Sequence, residues 1–370
     1  MNDRPIFITG TMRNGGSLLQ NMLSVHSEVL IFAGFILFFR FYHKKYEPLN
    51  PENVERMMQH LRLRLKYRRG FDLNVERIIE NVIKRDCSYT ACYEEIINEL
   101  STYTNKRILG EYVTLGWRNI PDFIEMFPNA KIIHMCRDLR AIVSSFSRTT
   151  NMQENLYLNA IFNWVDSVNH IKQYKKELSS EQYLVLKFED IHENPKATIS
   201  HLCDFLEIDF EDSMVEPETW TKLFDKNFVD ANISAYTFEK VYGFDIARTK
   251  KWIQSIDIQD LHLAEFIAGE KLLEMGYTLA LEEFDQNILT KGLNQMTSQP
   301  ILSKNYEKLK TMNEGTDQSA MDPSDPNNWD VAGQEGDLAR IKFLDHSTGK
   351  RYLKELNSID NILNEKYKNI

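Results

Sequence analysis

The stretch Arg4-Pro5-Ile6-Phe7-Ile8-Thr9-Gly10-Thr11-Met12-Arg13-Asn14-Gly15-Gly16-Ser17-Leu18-Leu19-Gln20 constrains the fold more than any other. A β-branched, apolar run enters a glycine-bounded loop, and the loop enters a helix with Leu18, Leu19, Met22 and Leu23 on its apolar side. That is strand, phosphate-type loop, helix. Against Gly-x-x-x-x-Gly-Lys-[Ser/Thr], Gly10 and Gly15 match, Gly16 stands where lysine belongs, and Ser17 follows. The loop's own cation is Arg13, three positions earlier than the missing lysine. Such a loop can cradle a phosphate-like group without serving a nucleoside triphosphate.

Strands alternate with helices along most of the chain. Val29–Phe39 reads as a second strand running into a buried or substrate-facing segment, and is too short to span a bilayer. Asn50-Pro51-Glu52 starts a helix that ends in the basic run Arg62–Gly70, read as a solvated face with its leucines turned inward. With Val75–Lys84 and Tyr93–Leu100, three helices form an inserted cap over about 46–103. Further strands are expected at Arg107–Glu111, Lys131–Cys136 and Tyr183–Phe188, with helices between and after them. The expected class is therefore α/β: a P-loop-like three-layer α/β/α fold with a central parallel sheet, a helical cap insertion and a C-terminal extension. Ligands bind such sheets at the carboxyl ends of the strands. Gly10–Ser17, Gly110–Glu111, Arg137–Asp138 and Phe188–Asp190 all fall on that edge.

The expected boundaries are 1–284 for the α/β domain, 285–336 for a linker and 337–370 for a small C-terminal segment. Thr311–Gln334 is rich in Asn, Asp, Ser, Gly and Pro. The last stretch regains apolar periodicity, as a strand and helix docking on the body or on a partner, a second copy of the chain included.

A net charge of −10 argues against a general nucleic-acid binder. The four cysteines, Cys87, Cys92, Cys136 and Cys203, lack the spacing of a zinc site and read as free thiols of a reducing compartment. No metal site is expected. With no signal peptide at the N-terminus and no membrane-spanning run, the chain reads as cytoplasmic.

At these residues the sequence resembles the sulfotransferases that use 3′-phosphoadenosine 5′-phosphosulfate (PAPS). Pro5–Leu19 is similar to their 5′-phosphosulfate loop, Gly-x-x-[Arg/Lys]-Ser-Gly-Thr-[Ser/Thr]-Leu. Lys131–Phe146, with Arg137-Asp138 and Ser144-Ser145, resembles their 3′-phosphate strand and helix. Tyr183–Asp190 with Asn194-Pro195, Cys203–Leu206, Arg248–Trp252 and the helix ending at Gly276-Tyr277 follow in the family's order, and the likeness spans about Pro5 to Tyr277. It implies transfer of a sulfuryl group from PAPS, as co-substrate and without a metal, to the hydroxyl of a carbohydrate, lipid or small-molecule alcohol. It further implies a cofactor site made of Arg13, Asn14, Gly15, Gly16, Ser17, Leu18, Arg137, Ser145, Phe188, Arg248 and Lys250. Arg13 would stabilise charge on the leaving oxygen. Arg137 and Ser145 would grip the 3′-phosphate. Arg248 or Lys250 would close over it. Each has a plainer reading: a helix cap for Ser17, a solvated helix position for Ser145, a surface cation for the arginines.

The sequence departs from the family in several places: Lys250 stands where Gly-x-Trp has its glycine, and Ile31-Phe32-Ala33-Gly34 where some relatives place a catalytic glutamate. Ser-Gly-Thr is Asn14-Gly15-Gly16, and Asp/Glu-Lys-Thr-Pro is Glu111-Tyr112-Val113-Thr114, without the lysine. Glu111, expected at a strand end beside the loop, is the first candidate for the base that activates the acceptor, and His43 the second. Phe38, Phe39, Tyr42 and Tyr46 are candidates for an acceptor pocket. The departures leave two alternatives open: a P-loop kinase or NTPase, and a non-catalytic relative that binds nucleotide or glycan and uses Asp337–Ile370 to reach a partner.

Overall fold

Five parallel strands form one sheet in the order β2-β3-β1-β4-β5. The computed structural model describes residues 4–104, 106–149, 153–220, 243–316 and 346–368. The strands are β1 (Ile6–Gly10), β2 (Val29–Ala33), β3 (Ile108–Thr114), β4 (Lys131–Cys136) and β5 (Tyr183–Lys187). β1 lies between β3 and β4, with Gly10 opposite Thr114 on one side and Met135 on the other. From β1 the chain goes to one edge of the sheet through α1 (Gly16–Val25) and β2, and later crosses to the other edge through β4 and β5. The loop after β1 therefore opens at the point where the winding reverses, which is where an open parallel sheet leaves a crevice.

Residues alternate between the two faces of the sheet. Ile6, Ile8, Ile31, Tyr112 and Ile133 pack against α1 and α10 (Pro195–Leu206). Phe7, Phe32, Leu109, Val113 and Ile132 pack against the cap. The cap comprises α2 (Phe38–Phe41), α3 (Pro51–Arg69), α4 (Glu76–Arg85) and α5 (Tyr89–Ser101). Its ends follow local chemistry. Asn50 accepts from the Asn53 N–H at 2.9 Å, Pro51 takes the first turn, and Gly70 closes α3 with φ of 63°. Ser88 caps α5 through the Ala91 N–H. The basic run on α3 is only partly solvated: Arg62 pairs with Asp72 and Glu76, whereas Arg64 is fully buried. Arg64 falls on the same helical stripe as Met57, Leu61 and Leu65, so the helix geometry carries it inward with them.

A third cluster joins α7 (Leu139–Thr149) and α8 (Asn159–Glu177) to α12 (Ile258–Glu274), α13 (Gln286–Ser298) and α14 (Pro300–Met312). These last two helices correct the expected linker over 285–336. Asp285 caps α13 through the Asn287 and Ile288 N–H groups, and Leu289, Met296, Leu302 and Leu309 are buried. Widely spaced single apolar residues among Asn, Gln, Lys and Ser hid this period. Residues 317–345 lie outside the described residues, and with them the rest of the linker and the strand expected near 337. So does 221–242, most of the aromatic-rich stretch after Glu216.

The final helix, α15 (His346–Tyr367), docks on α3 of its own chain, with Tyr352, Leu356 and Leu363 buried. Glu355 accepts from Tyr67 at 2.6 Å and Lys66 at 3.0 Å, Asp360 faces His60 at 3.1 Å and pairs with Arg56, and Tyr367 donates to Glu55 at 2.7 Å. The C-terminal segment is thus part of the cap. All four cysteines are unpaired, and no helix among the described residues is long and apolar enough to cross a membrane. Leu356→Ala is expected to cost about 2–4 kcal/mol, the usual loss for a buried leucine. Urea unfolding monitored by far-UV circular dichroism measures it, and an unchanged midpoint would mean that α15 does not hold the cap.

Candidate functional site

The loop is built from three residues with positive φ: Gly10 at 143°, Arg13 at 64° and Gly15 at 92°. Both glycines are required by close approach as well as by φ. A Cβ on Gly10 would lie 2.3 Å from the Met135 carbonyl oxygen, and one on Gly15 would lie 2.3 Å from the Phe188 ring. Arg13 has no such freedom and carries a modest strain of about 1 kcal/mol. Its left-handed turn presents the main-chain carbonyl to Arg137, whose Nη1 donates to it at 2.9 Å. The Arg13 side chain turns to α7, where Nε donates to the Ser145 Oγ at 3.0 Å. The structure therefore brings Arg137 and Ser145 together through Arg13, a loop residue more than 120 positions earlier in the sequence.

Arg137 stacks on Phe188, with Cζ 4.1 Å from the ring centroid. Its Nε is buried and has no acceptor among the described residues. Burial brings its pKa down to about 10, an effect opposed by Glu189 and increased by Arg13. Phe188 opens α9 (Phe188–Glu193), walls the loop at Gly15 and lies 4.4 Å from the His192 ring. Burial, and the charges of Arg137 and Arg248, hold His192 at about 4. Arg248 sits on α11 (Ala247–Lys250), which packs on α9; its Nε is 3.9 Å from Asp245. Lys250 is exposed at the end of α11, and no bond ties it to the loop.

Two expected phosphate donors are already engaged. The Gly16 N–H donates to the Asn14 Oδ1 at 2.8 Å, and the Leu18 N–H donates to the Gly15 carbonyl at 2.9 Å. Leu18 contributes its side chain to the core beneath α1, and its N–H closes the first turn. Ser17 is exposed and does not cap α1, whose N-cap is Gly15. Its hydroxyl is open to a ligand at the helix N-terminus.

The two departures at Gly16 and Tyr112 meet in space. A Cβ on Gly16 would lie 2.2–2.5 Å from the Tyr112 ring, and the Tyr112 hydroxyl donates to the Asn14 Oδ1 at 2.9 Å. Asn14 is fully buried, and its Nδ2 has no acceptor among the described residues. The tyrosine fills the space that a threonine at position 16 would need. Its hydroxyl fixes the amide that replaces the family's serine.

Glu111 is not at the end of β3 but at its midpoint, three residues short of the Thr114 that pairs with Gly10. By alternation it faces the cap, with Phe7 and Val113, whereas Tyr112 faces α1. It is fully buried. Its carboxylate accepts from the Leu37 and Phe38 N–H groups at the start of α2, and Oε2 has no hydrogen-bond donor among the described residues. Burial pushes it up to about 7 against those hydrogen bonds and the charge of Arg64. His43 is buried among the rings of Phe38, Phe39 and Tyr89, 3.7 Å from Asp122. Burial lowers its pKa. Phe38, Phe39, Tyr42 and Tyr46 are buried core. Asp138, the carboxylate nearest to a magnesium ligand in the kinase reading, is held by Arg140 at 2.7 and 2.9 Å, and Arg140 also grips Glu265 at 2.7 Å.

Sequence reasoning missed Arg64 and Tyr93, which interact electrically with Glu111 in the cap, and Arg40, which bears on Arg64. The signal for Arg64 was its place on an apolar stripe, and for Arg40 its place inside Phe38-Phe39-Arg40-Phe41. The coupling at the loop gives a direct test. Gly16→Thr alone is expected to destabilise the fold by about 1–3 kcal/mol in urea unfolding, the usual cost of overpacking a filled site. Adding Tyr112→Ala should recover most of that loss, and purely additive effects would refute the coupling.

The Sulfotransferase family model matches residues 5–212, more than half of the chain. An uncharacterized protein of Aquifex aeolicus (strain VF5) is 25% identical over 219 residues, 58% of this chain and 26% of that protein. Protein-tyrosine sulfotransferase A of Caenorhabditis elegans is 25% identical over 136 residues, 36% of this chain and 35% of that protein. The chain thus spans about a quarter to a third of the length of these curated relatives. Among solved structures, the sulfotransferase domain from the curacin biosynthetic pathway aligns with a TM-score of 0.49 at 21% identity, covering 75% of this chain and 98% of that one. By its match over residues 5–212, the chain belongs to the sulfotransferase family.

Proposed function

We propose that the chain moves a sulfuryl group from PAPS to the hydroxyl of an acceptor. The observation that carries this reading is the pair of buried, unpartnered donors at the loop, Asn14 Nδ2 and Arg137 Nε. Buried donors are rarely left without a partner, and here they stand at a helix N-terminus at the reversal point of the sheet. Both favour an anion, and so does the charge of Arg13 and Arg137.

In this reading the loop and Ser17 hold the 5′-phosphate, and Arg137 with Ser145 holds the 3′-phosphate against Phe188. Arg248 flanks that phosphate from α11, and Lys250 supplies positive charge from the rim. The acceptor oxygen attacks sulfur as the bond from sulfur to the 5′-phosphate oxygen breaks, leaving 3′-phosphoadenosine 5′-phosphate. Arg13 stabilises the charge that gathers on that oxygen; a guanidinium donates no proton at neutral pH, so its help is electrostatic. Glu111 takes the proton released by the acceptor hydroxyl, a task suited to a carboxylate titrating near 7. We place this activity in the unit up to residue 284, with α13–α15 as its buttress, and in the cytoplasm, where the free thiols would persist.

The kinase alternative is disfavoured by Gly16 in the lysine position and by Asp138, which is paired with Arg140. The non-catalytic alternative loses its main motive, because Gly16 and Tyr112 compensate each other.

Calorimetry should show tighter binding of 3′-phosphoadenosine 5′-phosphate than of AMP, with Arg137→Ala removing the preference; equal affinities in the wild type would sink the reading. Transfer of labelled sulfate from PAPS should fall about 10²–10³-fold in Arg13→Ala. Below pH 7 Glu111 is increasingly protonated and cannot accept a proton. The rate should therefore rise with pH through about 7, and Glu111→Gln should abolish that limb.

A further inference from the structure

Half of the buried side-chain nitrogen and oxygen atoms without a partner, among the described residues, lie in one cluster under the cap: Arg40 Nε and Nη2, Arg64 Nη1, Tyr93 Oη and Glu111 Oε2. They form a chain of electrical neighbours, Arg40 to Arg64 to Glu111 to Tyr93. Glu111 raises the pKa of Tyr93 and Tyr42, and Arg64 acts on Glu111, Tyr42 and Arg40. The two guanidinium carbons lie 5.7 Å (Arg40) and 4.9 Å (Arg64) from the Phe41 ring centroid.

The two arginines are used differently. Arg64, on α3, donates Nε to the Tyr42 hydroxyl at 2.8 Å and Nη2 to the Phe35 and Ile36 carbonyls at 2.5 Å each. It braces the turn between β2 and α2 and leaves one nitrogen over. Arg40, 6% exposed, spends neither Nε nor Nη2 on the described residues. No carboxylate offsets it; the charge that bears on it is that of Arg64, which with burial lowers its pKa to about 10. It is therefore charged at neutral pH. Arg64 is the cation that bears on Glu111, and Arg40 bears on Arg64, so two cations and one carboxyl that titrates near 7 leave the cluster with net positive charge in a buried place. Such a charge is costly to bury and is ordinarily paired. The Nε and Nη2 hydrogens lie along one side of a guanidinium, the fork that receives a carboxylate or another oxyanion with two parallel hydrogen bonds. The segment that carries Arg40 leaves the carboxyl end of β2, the edge on which the phosphate loop also opens, and Glu111 fixes its turn at Leu37.

We infer that Arg40, Arg64, Tyr93 and Glu111 form the acceptor subsite, and that the acceptor carries an oxyanion beside the hydroxyl that is sulfated. The inference rests on the sulfotransferase reading for the word acceptor, but not for the anion site itself. Arg40 takes the oxyanion with its free fork and Arg64 adds a single donor. Tyr93 and Glu111 meet the hydroxyl, and Glu111 accepts its proton.

The test uses the full chain saturated with 3′-phosphoadenosine 5′-phosphate, so that the phosphate loop is filled. Calorimetry compares 4-hydroxyphenylacetate, its neutral amide and 4-hydroxybenzylphosphonate. Thermal unfolding compares sodium sulfate with sodium chloride at equal ionic strength. The wild type should bind at least one charged compound tenfold or more tightly than the amide, and sulfate should raise its melting temperature. The better of the two charged compounds distinguishes a carboxylate acceptor from a phosphate-like one. In Arg40→Met the preference should shrink to within twofold and the sulfate effect should vanish. Affinity for 3′-phosphoadenosine 5′-phosphate and the melting temperature without added anion should be maintained, because the variant removes an unpaired buried charge. Equal binding of charged and neutral compounds, no binding of either, or a preference that survives in Arg40→Met would overturn the subsite. A melting temperature that falls in Arg40→Met would also overturn it, by showing that Arg40 serves the fold. If 3′-phosphoadenosine 5′-phosphate fails to bind the wild type while sulfate still acts through Arg40, the nucleotide reading falls and the anion site stands.

Discussion

The hydrogen bond from Arg137 to the carbonyl of Arg13 holds the candidate site together. It joins the end of the central strand's loop to the end of the neighbouring strand β4. Arg13 makes it from the left-handed region. The same residue then reaches Ser145 with its side chain. One strained residue thus sets the distance between the two halves of the candidate site, which lie far apart along the chain. Phe188 completes the arrangement from β5's side, stacked on Arg137 and closed on Gly15.

Gly16 and Tyr112 show how a loop can lose a side chain and keep its shape. Taken alone, each looks like damage to a phosphate site. Together they conserve volume and hydrogen bonding: the ring occupies the space above the glycine, and the hydroxyl holds Asn14. A close-packed interior allows such exchanges in pairs and seldom singly.

Much of the fold was legible in the residues. The β-branched run into Gly10, the continuous apolar strand at Lys131–Cys136 and the capped helix at Asn50-Pro51 are local signals, and local physics decided them. Arg137 and Ser145 were legible as a spaced pair, but not their shared attachment to Arg13, which depends on strand order. Glu111 was misplaced because β3 runs on through Tyr112 and Val113 to Thr114, and a polar residue was taken as the strand's end. α13 and α14 were missed because each buries only a few widely spaced side chains in a groove that other helices supply. The buried arginines of the cap were missed because arginine is usually exposed.

The docking of α15 on α3 has a consequence for the order in which the protein is made. Arg56, His60 and Tyr67 meet partners about 300 residues later in the sequence. During synthesis the sheet, the phosphate loop and the inner cap are complete long before that helix leaves the ribosome. Until then the outer face of α3 stays open to water and to other chains. Closing so long a loop is slow rather than costly, since its entropy grows only with the logarithm of its length. Docking of α15 is therefore a late step, at which a nascent chain covers the apolar outer side of α3.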